Sequence, residues 1–124
     1  MFSDVSSSAI VAVKDLARAR AFYANTLRLA LASEDDQVLT FRTGATTLAV
    51  YVSDAAGTNK ANAAVWSAGA DFDAVVAQLK MNGVTFEEYP VLGMQVSDGI
   101  HTAGDFKAAW FKDPDGNILH INSM

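Results

Sequence analysis

The strongest constraint on this chain is that its two halves follow one plan. In the first, the apolar run Ala9–Val13 leads to Asp15 and then to "LARARAFYANTL". Asp15 suits a helix N-cap, because a carboxylate can accept from the free N–H groups of the first turn. Leu16, Ala19, Phe22, Tyr23 and Leu27 recur at helical spacing and predict a buried stripe, while Arg18, Arg20 and Arg28 look outward. In the second half, "NAAVWSAGA" leads to Asp71 and then to "FDAVVAQLKMNG". Phe72, Val75, Val76 and Leu79 make the matching stripe, with Lys80 in the last turn and Gly83 free to take the left-handed C′ conformation.

Each helix is followed by strands. "QVLTFRT" and "TTLAVYV" follow the first, and "VTFEEYP", "FKAAWFK" and "NILHIN" the second, the last two joined by the turn "DPDG". The pattern is an internal βαβββ repeat, with half-repeats over about 1–55 and 60–124 and a small, polar linker at about 54–61, within a single domain of 124 residues. One half alone would leave a sheet face bare. The expected fold is therefore α+β, with two mixed sheets curled into a cup around a shared central cavity and the helices outside.

Composition narrows the function. The absence of cysteine removes disulfides, thiolate nucleophiles and zinc–thiolate sites, and fits a reducing compartment. Nine scattered Lys and Arg and a net charge of −5 do not make the basic groove that nucleic acid needs. No apolar run approaches the roughly 18 residues of a membrane span, and "MFSDVSSSAI" has no basic region of a secretion signal. The expectation is a cytoplasmic protein that binds neither nucleic acid nor membrane.

Three segments, "VKDLARARAFYANTLRL", "FDAVVAQLKMNGVTFEEY" and above all the closing "AAWFKDPDGNILHI", resemble the vicinal oxygen chelate superfamily of glyoxalase I, bleomycin-resistance proteins and extradiol dioxygenases. The resemblance spans nearly the whole chain. It implies a divalent metal held by His, Glu or Gln from four strands, two in each half, and chelated by two substrate oxygens. Carried over residue by residue, the first ligand position falls on Ser8. The second falls within "TTLAVYVS", which has no carboxylate or imidazole, and the third falls near Ala64, where Asn62 is the nearest polar side chain. The fourth, four residues past the turn glycine Gly116, is His120. A lone imidazole does not hold a metal tightly against water. The expectation is thus no metal and no other cofactor, and a cup that binds a small organic molecule, aromatic or cationic, in the manner of the bleomycin-resistance proteins. The resemblance also implies a homodimer. The alternative is a lyase, isomerase or dioxygenase in which His120 is a surviving metal ligand or a general base, with further donors from loop carboxylates or a partner subunit.

Strand alternation then places His120 toward the cup and Leu119 and Ile121 toward the helices. His120 is open to three roles: metal ligand, polar or acid–base contact to a ligand, or a hydrogen-bonded histidine without chemistry. Trp66, two residues beyond the third ligand position, is expected on the inward face. With Trp110 and Tyr51 it would supply aromatic walls, plain core packing being the other reading. His101, in the loop-like "SDGIHTAGD", would either cover the mouth of the cup or lie on a solvated surface. Met94 would border the pocket. Asp113 and Asp115 read as turn residues.

Overall fold

The computed structural model describes residues 1–124. The elements are β1 (Ala9–Val13), α1 (Leu16–Arg20, continued by a π-helical segment Ala21–Thr26), β2 (Ala30–Glu34), β3 (Val38–Thr43), β4 (Thr46–Val52), β5 (Asn62–Ser67), α2 (Phe72–Met81), β6 (Phe86–Glu87), β7 (Gln95–Ser97), β8 (Ile100–Ala103), β9 (Phe106–Lys112) and β10 (Ile118–Asn122). The first half forms a four-stranded sheet ordered β1-β4-β3-β2. The second forms a six-stranded sheet, β5-β10-β9-β8-β7, with β6 paired to β9 beyond the end of β8. Each sheet is mixed, because the opening strand of each half lies parallel to the closing one: β1 beside β4, and β5 beside β10. β1 and β5 run alongside each other where the halves meet.

Asp15 caps α1 as expected, its carboxylate accepting from the Arg18 N–H at 3.1 Å. Asp71 does not cap α2; it ends a short 3-10 turn, Gly69–Asp71, and its side chain makes no capping bond. Gly83 takes φ +91°, as the C′ position requires. The second half departs from the simple repeat. "VTFEEYP" yields only a two-residue strand, and the stretch before β9 contains the β7–β8 hairpin. Its turn is Asp98-Gly99, both at positive φ, +53° and +80°. This two-residue loop matches the right-handed twist of its strands, and the Asp-Gly pair encodes it.

Both helices lie on one face of the paired sheets and share one core. Val11 and Val13 of β1, Phe41, Leu48 and Val50 join Tyr23 of α1, Val76 of α2, and Phe111, Leu119 and Ile121 of the second sheet in a single buried cluster. The first helix reaches across the junction: Phe22 packs against Phe111 and Tyr23 against Phe41. A polar clasp reinforces this. Tyr23 donates to Asp113 Oδ2 at 2.7 Å, Arg18 pairs with Asp115 at 2.8 Å, and Asn117 donates to the Ala12 carbonyl at 2.8 Å. Burial and the Asp113 carboxylate push the Tyr23 hydroxyl far above the ordinary phenol value, so it stays a donor. The closing "DPDG" turn is thus also the joint between the halves. The linker packs on it so closely that a Cβ on Gly57 would lie 2.5 Å from the Asp115 carbonyl oxygen. No helix is long and apolar enough to cross a membrane.

Candidate functional site

The sheet face opposite the helices carries the candidate site. Its membership follows from register. His120 pairs with Trp110 on β9 and with Val65 on β5, so these three share a face, while Leu119 and Ile121 join the core on the other. His120 therefore points where strand alternation placed it.

Its surroundings are aromatic. The Trp110 and His120 rings stack at 4.6 Å with 22° between planes, and His101 meets Trp110 edge-on at 4.8 Å. Tyr89 is also edge-on to Trp110, at 5.5 Å. The two histidines thus flank one indole. Trp110 is half-buried and donates its Nε1–H to Asn62 Oδ1 at 3.1 Å.

Both imidazoles are already engaged. His120 Nδ1 faces the Ala109 carbonyl at 3.1 Å, and a carbonyl can only accept, so Nδ1 carries the proton. Nε2 is then a bare acceptor, 3.3 Å from the Asn122 side-chain amide. Asn122 is oriented in turn by the Met124 N–H, which donates to its Oδ1 at 3.1 Å. Burial holds the His120 pKa below the usual imidazole value, only partly offset by the Ala109 carbonyl, so the ring is neutral near pH 7. His101 is fully buried on β8; its Nε2 accepts from the Tyr89 N–H at 2.8 Å, and its Nδ1 donates to the Gly99 carbonyl at 3.3 Å. Neither expectation for His101, a cover over a mouth or a solvated loop, matches this position. The Asp98-Gly99 turn folds the segment into a hairpin and swings the histidine inward.

The other predicted residues scatter. Ser8 hydrogen-bonds Thr47 at 2.8 Å in the first half, and Tyr51, paired with Ala12, is half-buried on the same open face but is not part of the histidine cluster. Met94 is half-buried between a short 3-10 turn and β7. Trp66 is a correction. It pairs with Ile121, lines a pocket on the helix side with Leu79 and Phe111, and donates to Thr43 at 2.8 Å. The reason is register: a bulge pairs Asn62 with Ile118 and Ala64 with Leu119, so Ala64 lies in the helix-side core and the residues of β5 on the His120 face are Asn62 and Val65. Sequence reasoning passed over Tyr89 and Asn122. The second was detectable, since it stands two residues from His120 and so shares its face.

A divalent metal does not fit this donor set. No three His, Asp or Glu side chains come together. Of the four positions where the resemblance implies ligands, Ser8 is committed to Thr47, and His120 is engaged at both nitrogens. The open-face residues of β4, Thr47, Ala49 and Tyr51, lack a carboxylate or imidazole, and so do those of β5 beside the third position, Asn62 and Val65.

The family model for the Glyoxalase/Bleomycin resistance protein/Dioxygenase superfamily matches residues 6–121. No curated protein matches the chain by sequence. Solved structures do. A glyoxalase/bleomycin resistance protein/dioxygenase from Alicyclobacillus acidocaldarius superposes with a TM-score of 0.74 at 18% identity, over 96% of this chain and 90% of that one. Lactoylglutathione lyase from Agrobacterium tumefaciens gives 0.73 at 16% identity, over 96% and 92%. The fosfomycin resistance protein FosX from Mesorhizobium loti gives 0.70 at 13% identity, over 100% and 94%. At these identities the structures speak for the fold alone, and the matched residues for descent. The chain belongs to the Glyoxalase/Bleomycin resistance protein/Dioxygenase superfamily.

Proposed function

We propose that this protein is a metal-free small-molecule binding member of its superfamily, using the face that carries Trp110, His120 and Tyr89 to hold a small aromatic or cationic organic ligand without transforming it. The observation that carries the reading is the His120 ring itself. It is stacked on Trp110 and hydrogen-bonded at both nitrogens, which makes it a rigid, neutral wall rather than a free base or ligand. Stacked aromatic surface of this kind recognises flat organic molecules through dispersion and area burial. A net charge of −5 adds a mild preference for cations.

The working unit in this reading is a homodimer. Ile10 and Val65, on the two strands at the junction, expose 61% and 57% of their surface on the same face as His120. Branched apolar side chains left bare where the two sheets meet favour burial against a second copy. Ile10→Glu should convert a dimer to a monomer, as read by light scattering coupled to size exclusion; a wild-type chain that is monomeric at micromolar concentration would remove the dimer from the proposal.

Ligand binding is tested by thermal shift across a panel of planar aromatic and cationic compounds, because a ligand that binds only the native state raises Tm. Trp110→Leu should weaken the best compound about tenfold, the scale of one lost aromatic contact of roughly 1.5 kcal/mol. A panel with no shift, turnover of any bound compound, or a tightly held divalent ion in protein purified without chelator or affinity tag would each defeat the reading.

A further inference from the structure

The pocket with the most apolar lining lies on the opposite side of the sheets from His120, between the end of α1 and α2. Its volume is about 250 Å³, and eight of its nine lining residues are apolar, among them Leu27, Leu29, Trp66, Val75, Leu79 and Phe111; Ser67 is the polar one. Two unusual backbone features build its wall. Helix α1 widens into π-helical turns over Ala21–Thr26, with the Leu27 N–H bonded to the Phe22 carbonyl and the Leu29 N–H to that of Tyr23, each at 3.0 Å. Arg28 then takes φ +58°, a left-handed conformation that strains a residue with a Cβ. Its side chain is exposed, while Leu27 and Leu29 on either side of it both face the pocket. Widened helical turns and left-handed non-glycine residues gather at functional sites.

We infer that this helix-side pocket is a second binding site, for an uncharged aromatic molecule of one or two rings. A packed interior would close such a space, because its lining forfeits dispersion contacts while it stays open. Water fills it poorly: a held water needs two to four polar partners, and Ser67 is the only polar side chain in the wall. The Trp66 N–H is already satisfied by Thr43, so it asks nothing of an occupant. No charged side chain lines the pocket to pair with an ion. By size, an apolar cavity of about 150 Å³ takes benzene, so the space here accommodates one or two rings. The Trp66 and Phe111 rings in the wall favour aromatic over aliphatic guests.

The test is a titration of the full ¹⁵N-labelled chain with p-xylene and with indole, followed by NMR, with benzoate as the charged counterpart. Saturable shifts are expected at the Leu27, Leu29, Val75 and Leu79 amides and at the Trp66 indole N–H, with the Trp110 indole N–H unmoved. Val75→Trp, which fills the pocket from its rim, and Leu29→Asn, which makes its wall polar, should each weaken binding at least tenfold; either variant suffices if the other does not fold. Absence of saturable shifts up to the solubility limit would overturn the inference. So would shifts confined to the Trp110 side, binding of benzoate as tight as that of p-xylene, or shifts that persist unchanged in a folded variant.

Discussion

At the scale of single residues, His120 shows how a conspicuous side chain is used up by its neighbours. The Ala109 carbonyl fixes its tautomer, Asn122 occupies its remaining lone pair and Trp110 covers a ring face. Burial lowers its pKa in the folded state, so below about pH 6.5 the unfolded chain takes up this proton more readily. The native state therefore keeps its full stability above that pH, loses some as pH falls, and levels off once the folded form is also protonated. Urea denaturation at pH 7.5 and 5.0 should show this loss in the wild type and a shallower one in His120→Gln. Equal slopes would mean that His120 does not carry the effect.

Among elements, the β7–β8 hairpin positions the aromatic cluster. It has little core of its own, and its place is fixed by pairing to β9, by Lys80 of α2 bonding Asp98 at 2.8 Å, and by the Gly99 N–H donating to Glu88 at 2.9 Å. Gly99 cannot easily be replaced: at φ +80° a Cβ would be strained, and it would lie 2.5 Å from the Phe86 Cβ. Gly99→Ala should cost about 2 kcal/mol. Because His101 hangs from the same turn, the variant should also change Trp110 emission. Unaltered stability and fluorescence would show that the hairpin is not what holds the cluster. The hairpin was legible as an Asp-Gly turn between short β-prone runs, but the density of small polar residues in "SDGIHTAGD" reads equally well as a loop. Pairing to β9 decided between them.

For the molecule as a whole, one core across both halves predicts one cooperative unit. Urea transitions followed by emission of the two tryptophans, both in the second half, and by far-UV circular dichroism, which reports both halves, should coincide. Tyr23→Phe should lower stability by about 1–3 kcal/mol, since it takes a hydrogen bond from the buried Asp113 carboxylate, and leave the transition single. Two separated transitions in the wild type would refute the single core. The amino-acid sequence by itself determined what depends on neighbours along the chain. The capping of α1 by Asp15, the turn glycines, and the alternation that sends Leu119 toward the helices and His120 to the opposite face all belong here, because period, φ preference and capping act within a few residues. Only the tertiary structure decided which face Trp66 joins, that His101 is buried beside Trp110, and that the closing turn clasps α1. Each of these turns on register or contact between separate elements, which for Trp66 and the closing turn lie tens of residues apart. A shift of one residue in pairing exchanges the faces of a strand, and no local pattern in β5 fixes that choice.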